Sequence, residues 1–368
     1  LLYGLNTLGA VFGVIFSGFV ALQTFGVWQT VYLTGFFNLV IFYLCRRFFA
    51  APVSVPQPKT PKAPDASPTR GWAEKIETFI AGRLPFLIRF MKQDGSDPQS
   101  TAAPFSPVVT WILLASFALS GAVSMMYEIS WTRVLAMSVG SSVYAFSLML
   151  ATFLLGISLG SYLFSAFSRF FRANLHTFAA LQLLTAFFGL WNINIFNDMP
   201  YYFVQIFGAS HGSDLLLQLG RFFLCSIVIL PPTLMIGAMF ACFIHVLRRS
   251  RPLGSEIGEG YFSNTIGTIL GSVLTGFAII PLVGIQHTLL LAAGLNAAIG
   301  IIIFFLPQEH LTWKRSTALA LAVVLLLFTG FAVRPWDRGF ISSDLAVKPD
   351  RALGMSKWQT LFYIVMPR

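Results

Sequence analysis

Apolar residues along this chain fall into long blocks separated by short polar stretches, and the length of the blocks sets their meaning. A helix needs about 20 consecutive, mostly apolar residues to cross the hydrocarbon core of a bilayer, and the pattern predicts about nine such spans. They cover residues 5–25, 27–46, 107–128, 140–166, 174–196, 214–247, 261–283, 285–306 and 316–334, the sixth of them broken by a proline pair. Loops are expected near 129–139, 197–213 and 284.

Residues 51–106 are a different kind of sequence. Ala51 to Arg70 holds six prolines together with Lys59, Lys62 and Arg70, a composition that cannot pack a core. Residues 72–91 then set Trp72, Ile76, Phe79, Ile80, Leu84, Leu87, Ile88 and Met91 at helical spacing, with Pro85 expected to kink the helix. Lys75, Arg83, Arg89 and Lys92 lie on or beside its polar face. Two roles fit residues 72–92: a helix lying on an anionic lipid leaflet, or one docked under the bundle.

Composition narrows the class. Of 368 residues, 56% are hydrophobic and only 10% charged, whereas soluble domains carry about a quarter charged residues. The formal charge of +10 does not imply nucleic acid as a partner, because the cations flank the apolar blocks. Arg46-Arg47, the linker, Arg169 and Arg172, Arg248-Arg249 with Arg251, and Lys314-Arg315 mark every second boundary. Assigning those ends to the cytoplasm makes the spans alternate, with the linker cytoplasmic and the tail after residue 334 extracytoplasmic. A bacterial inner membrane is the expected setting.

An internal repeat organises the spans. Shifting Tyr3–Asn38 onto Tyr261–Asn296 without gaps matches Tyr3 with Tyr261, Asn6 with Asn264, Thr7 with Thr265, Gly9 with Gly267 and Gly13 with Gly271. The matches continue with Gly18 and Gly276, Phe19 and Phe277, Gly26 and Gly284, Thr30 and Thr288, and Asn38 and Asn296. Both copies have the same inferred direction, so the repeat is parallel, as in the two halves of major-facilitator transporters.

The expected fold is therefore an all-α integral membrane bundle of major-facilitator-like, parallel two-repeat type. Residues 1–50 are its first repeat's last two helices and 107–306 a complete second six-helix repeat. Residues 307–334 add an extra transmembrane helix, and 335–368 form a tail. Four helices are expected upstream of Leu1, which opens within an apolar run.

Candidate chemistry is sparse. Glu128 and Arg133 stand at the outer end of the third span, where charges are costly unless paired or hydrated. Five residues apart, they do not share a helix face, so they need a break or an outside partner. Arg221 is the candidate partner for Glu128, either as a structural ion pair or as part of a substrate or proton site.

Pro231 and Pro232 interrupt the sixth span. Each removes an amide donor and displaces the carbonyl four residues back. Such a break lines a binding site in some transporters; alternatively, Thr233 or a neighbouring helix satisfies the kink. Gly9 and Gly13, Gly267 and Gly271, and Gly156 and Gly160 form small-xxx-small patterns that let helices approach closely. Asn6 and Asn264 either cap equivalent helices or bond across the pseudo-twofold axis.

The five histidines, His176, His211, His245, His287 and His310, share no ligand spacing, and Cys45, Cys225 and Cys242 suggest neither disulfide nor zinc. No phosphate loop, dinucleotide fingerprint or nucleophile elbow occurs, so no metal, cofactor or catalytic residue is assigned in this chain.

Three stretches resemble the membrane region of fused major-facilitator/spermidine synthase proteins: SGAVSMMYEISWTRVLAMSVGSSVYAFSLMLATFLLGISLGSYL, GRFFLCSIVILPPTLMIGAMF and GYFSNTIGTILGSVLTGFAIIPLVGIQHTLLLAAGLNAAIG. The first holds the family-like Trp-Thr-Arg and Gly-Ser-Ser-Val-Tyr-Ala-Phe elements. The resemblance implies that a spermidine-synthase-like domain follows the membrane part, and the tail from Arg334 looks like its approach. The glycine-rich cofactor loop and amine-holding acids of such a domain are not in this sequence. What the resemblance implies is a transporter-like domain moving or sensing a small amine-bearing molecule. Two alternatives stand beside it: a non-transporting scaffold or accessory subunit with protein partners in a membrane complex, and a membrane anchor for a C-terminal aminopropyltransferase-like domain.

Overall fold

In lipid a backbone amide has no partner but the chain itself, so long apolar runs resolve into helices. The computed structural model describes residues 2–49, 105–139, 143–166, 173–247, 253–306 and 313–336, and no strand occurs among them. The linker beyond residue 49, its 72–91 segment and the tail beyond 336 lie outside the described residues.

The helices are α1 (Leu2–Phe16), α2 (Leu22–Phe49), α3 (Pro107–Val139), α4 (Val143–Ala166), α5 (Leu175–Phe196), α6 (Met199–Ala209), α7 (Asp214–Leu247), α8 (Leu253–Leu274), α9 (Ile280–Phe304) and α10 (Trp313–Phe331). Six helical stretches are long and apolar enough to cross a membrane: Gly4–Arg47, Pro107–Met137, Val143–Ala166, Leu175–Phe196, Asp214–Leu247 and Gly258–Phe304. The described part of the chain is all-helical, and its apolar helices make the protein an integral membrane protein.

The last of these stretches is 47 residues long. Straight, it would reach roughly 70 Å, more than twice the hydrocarbon thickness of about 30 Å. The packing partners show where it turns. Along α8, Ser263 donates to the Leu114 carbonyl (2.6 Å), Gly267 lies on Ala118 and Gly271 on Ala122, so α8 runs parallel to α3. Phe117 beside Phe178 and Tyr127 beside Gly189 make α5 parallel to α3 as well. Phe304 beside His176 and Gly300 on Ala179 make α9 antiparallel to α5. The chain therefore reverses between α8 and α9, at Gly284, whose φ of 81° only glycine adopts without strain.

The repeat read in the sequence is written into the backbone. A π-helical turn spans Ser17–Ala21 after α1, and another spans Thr275–Ile279 after α8, at matched positions. Gly26 has φ 73° and ψ 179°, Gly284 φ 81° and ψ 168°. Thr30 Oγ1 donates to the Gly26 carbonyl and Thr288 Oγ1 to the Gly284 carbonyl, both at 2.7 Å. Each threonine hydroxyl thereby adds a bond to the carbonyl of its kink glycine.

The chain divides into two compact units, Leu1–Val20 with Ala103–Arg368, and Ala21–Ala102. The second is described through α2, a helix kinked at Gly26 that ends on exposed Arg46 and Arg47. In the first, α4 and α7 pack closely through glycines. Gly160 lies against the Leu234 backbone, Gly237 against the Ile157 backbone and Gly156 against Thr233, leaving no room for a methyl group at any of the three. α1 packs antiparallel on α4, with Gly4 beside Ser158 and Ser161 and Gly18 beside Ser147.

Two expected loops are helical. Residues 129–139 continue α3 without a break, because Ser130, Trp131, Val134 and Leu135 are buried at helical spacing and hold the helix past the charged pair. Residues 197–213 contain α6, started by Pro200 in its first turn and anchored by buried Met199, Phe203 and Val204. Asn264 lies well inside α8 rather than at its N-terminus, so it does not cap the helix; its side chain rests against Gly121.

Candidate functional site

Among the sequence-selected residues, Glu128 has the setting that invites a ligand. It projects from the middle of α3 into a small cavity closed by Trp131 and Thr132 of the same helix, Met149 and Phe153 of α4, and Ile229 of α7. The cavity volume is about 20 Å³. A water molecule needs roughly 10–15 Å³ on this measure, so the space matches one water or a group of similar size.

The walls are mostly apolar. Trp131 is buried, stacks on Tyr127 (5.0 Å, 20°), and its indole Nε1 has no hydrogen-bond partner. Thr132 Oγ1 turns back to the Glu128 main-chain carbonyl (2.7 Å) and makes no bond to the carboxylate. Buried donors without partners are uncommon in native structures and mark places where a further group belongs.

Arg133 and Arg221 do not join this site. Arg133 is exposed on the other side of α3 and donates from Nη2 to the Gly276 carbonyl (3.4 Å), within the π-helical turn after α8. That is the outside partner expected for it, and α3 needs no break. Arg221 stands 5.3 Å over the Phe203 ring of α6, with Nε unpartnered. Among the described residues no ion pair joins it to Glu128, so the expected pair is not formed: α6 draws the guanidinium to an aromatic face instead.

The proline pair does not break α7, which stays helical from Asp214 to Leu247. Pro232 withdraws the amide that Val228 would have used, and Asn192 of α5 supplies a replacement, donating from Nδ2 to the Val228 carbonyl at 2.8 Å. Thr233 Oγ1 donates to the Ile229 carbonyl (2.7 Å) and sits within 3.1 Å of the Leu230 carbonyl. At Pro232 the freed carbonyl thus has a replacement donor on a neighbouring helix.

Asn192 and Trp131 were not singled out from the sequence. Asn192 was detectable as an isolated amide in an apolar run, Trp191-Asn-Ile-Asn-Ile, but its partner lies on another helix. Trp131 stood inside the quoted Trp-Thr-Arg element, and only packing reveals its unpartnered nitrogen.

No group of three or more His, Cys, Asp or Glu suited to a metal occurs among the described residues. Comparison with protein-family models, curated proteins and solved structures finds no match to this chain. The class that fold and composition define is a polytopic α-helical membrane protein in which Glu128, without an ion-pair partner among the described residues, lines a water-sized cavity within the bundle.

Proposed function

We propose that the chain is the transporter-like membrane domain of a spermidine-synthase-like fusion protein in a bacterial inner membrane, moving or sensing a small amine-bearing molecule. The observation that carries this reading is Glu128, an acidic group inside an apolar helix bundle with no cation beside it among the described residues. An intramembrane ionisable residue is expensive and is retained where it handles a charge. The cavity has the size of an ammonium head, and an aromatic wall beside a carboxylate is the pairing that recognises such a group. A major-facilitator-like arrangement is supported by the parallel repeat, whose two copies share a π-helical turn and a glycine kink. The linker 51–106 is cytoplasmic and the tail extracytoplasmic on this reading.

A second reading has an observation of its own. The carbonyl freed at Pro232 is closed by Asn192, and the space at Glu128 does not admit a whole polyamine. Those features favour a scaffold or accessory subunit that holds partner proteins in a membrane complex.

Uptake of labelled putrescine and spermidine into proteoliposomes of the full-length protein, with thermal-shift measurements in the same amines, separates the two. Transport or sensing requires uptake or an amine-dependent rise in Tm, lost in Glu128→Gln. Neither response, together with stoichiometric co-purification of other chains from native membranes, establishes the scaffold.

A further inference from the structure

Residues 333–336, which follow α10 outside any helix, are tied to two helices at once. Arg334 N–H donates to Asn194 Oδ1 of α5 (3.0 Å), and the Arg334 carbonyl accepts from Gln286 Nε2 of α9 (2.7 Å). Trp336 N–H donates to Gln286 Oε1 (3.1 Å), and its indole Nε1 to the Ile193 carbonyl (2.7 Å). The indole also stands edge-on to Phe196, 6.0 Å away. Ile193 lies in the last turn of α5, where carbonyls lack partners within the helix, so Trp336 caps that end.

Gln286 uses both ends of its side-chain amide on the main chain of 334 and 336. The reversal at Gly284 does not require it. The matched position in the first copy is Trp28, and the kink at Gly26 forms there with the same threonine bond. Gln286 therefore serves the segment after α10.

The α5 residues gripped by this segment adjoin the one that closes α7. Asn192 donates to the Val228 carbonyl, whose main-chain donor Pro232 removes, and the next residue, Ile229, lines the Glu128 cavity. Asn192, Ile193 and Asn194 are consecutive, so a shift of the end of α5 carries the Val228 donor with it. α7 is weakest at this point, because one side chain from another helix stands in for a main-chain bond. Ile193, Phe196, Cys225, Val228 and Ile229 share one buried cluster, on which Val333 and Trp336 pack; Cys242 belongs to another.

We infer that residues 333–336 are a latch through which the tail controls the Glu128 cavity. Engaged, the latch holds α5 to α9 and keeps Asn192 on α7. Released, it frees the end of α5 and loosens the Ile229 wall, with the proline-weakened α7 as the element that yields. The segment suits reversible attachment: Arg334 and Pro335 are exposed, and two of its four hydrogen bonds lie where water can replace them. What the cavity holds rests on the reading proposed above; the latch does not.

The test follows the thiols of the full-length protein in native membranes, alkylated with N-ethylmaleimide and read at each cysteine by mass spectrometry. Cys225, buried one turn before Val228, reports opening between α5 and α7, and Cys242, buried in the other cluster, is the reference. Trp336→Phe keeps the ring and loses one bond. It is expected to raise the Cys225 rate about fivefold, the factor that one hydrogen bond contributes to a local opening equilibrium, with the Cys242 rate unchanged. Gln286→Leu loses two bonds and is expected to raise it further. In an Asn192→Leu background, where the link to α7 is already cut, the same changes should add less than about twofold.

An unchanged Cys225 rate overturns the inference. So do rates that rise together at Cys225 and Cys242 in Trp336→Phe, which mark general loosening, and an undiminished effect in the Asn192→Leu background. A latch that responds as expected in a protein inert toward amines leaves the inference standing and removes only the amine reading.

Discussion

Pro232 and Glu128 sit on neighbouring helices of one bundle, and both place polar groups among apolar side chains, yet the protein treats them in opposite ways. At Pro232 the carbonyl of Val228, freed by the missing amide, receives the Asn192 amide from a neighbouring helix. Glu128 lines a cavity, with the unpartnered indole of Trp131 in the same wall and, among the described residues, no cation. A polar group that serves the fold is closed off by the fold. One left open is the place to look for a ligand.

The frame common to both sites is where a substitution does most damage. Gly160→Leu or Gly237→Leu drives a side chain into the backbone of the facing helix. Overpacking of a tight contact costs about 3 kcal/mol or more when backbone has to move. Loss of monodisperse protein in detergent, or a fall in Tm followed with a thiol-reactive dye, is the expected outcome; Cys225 and Cys242 are buried and report unfolding.

Asn192→Leu is next in size. It leaves the Val228 carbonyl without its donor, at about 1–2 kcal/mol for a hydrogen bond between membrane helices. Pro232→Ala restores a main-chain amide there, so the cost of Asn192→Leu should shrink in that background. A double-mutant cycle in which the two costs simply add would show that the proline and the asparagine are unconnected.

Glu128→Gln sharpens the contrast from the other side. No ion pair is lost, so stability should change by no more than about 0.5 kcal/mol or rise slightly, while any amine-dependent shift disappears. A large destabilisation would assign Glu128 to the fold. Smallest of all, Arg133→Met removes one long hydrogen bond from an exposed guanidinium, and Tm should move little.

Periodicity and block length made the helices legible, since every described helix except α6 overlaps an expected span. The repeat was legible further than helix ends usually are, because glycine and threonine at matched positions encode a backbone kink and its side-chain cap. What could not be read was whatever a second helix supplies. The charges at 128 and 133 looked like a helix end, but burial of Trp131, Val134 and Leu135 continues the helix through them. The prolines looked like a break, but Asn192, distant in sequence, closes it. Arg221 looked like a partner for Glu128, but α6, expected as loop, offers it Phe203.

The reversal at Gly284 also bears on how this chain enters a bilayer. From Gly260 to Gln308 there is no Asp, Glu, Lys or Arg, and the turn itself is a glycine kink rather than a polar loop. A translocon handling the stretch from Gly260 to Gln308 therefore has no charge to carry across and no hydrophilic segment to thread. The pair can partition sideways into lipid as one hairpin, with the Thr288 hydroxyl covering the Gly284 carbonyl during the crossing.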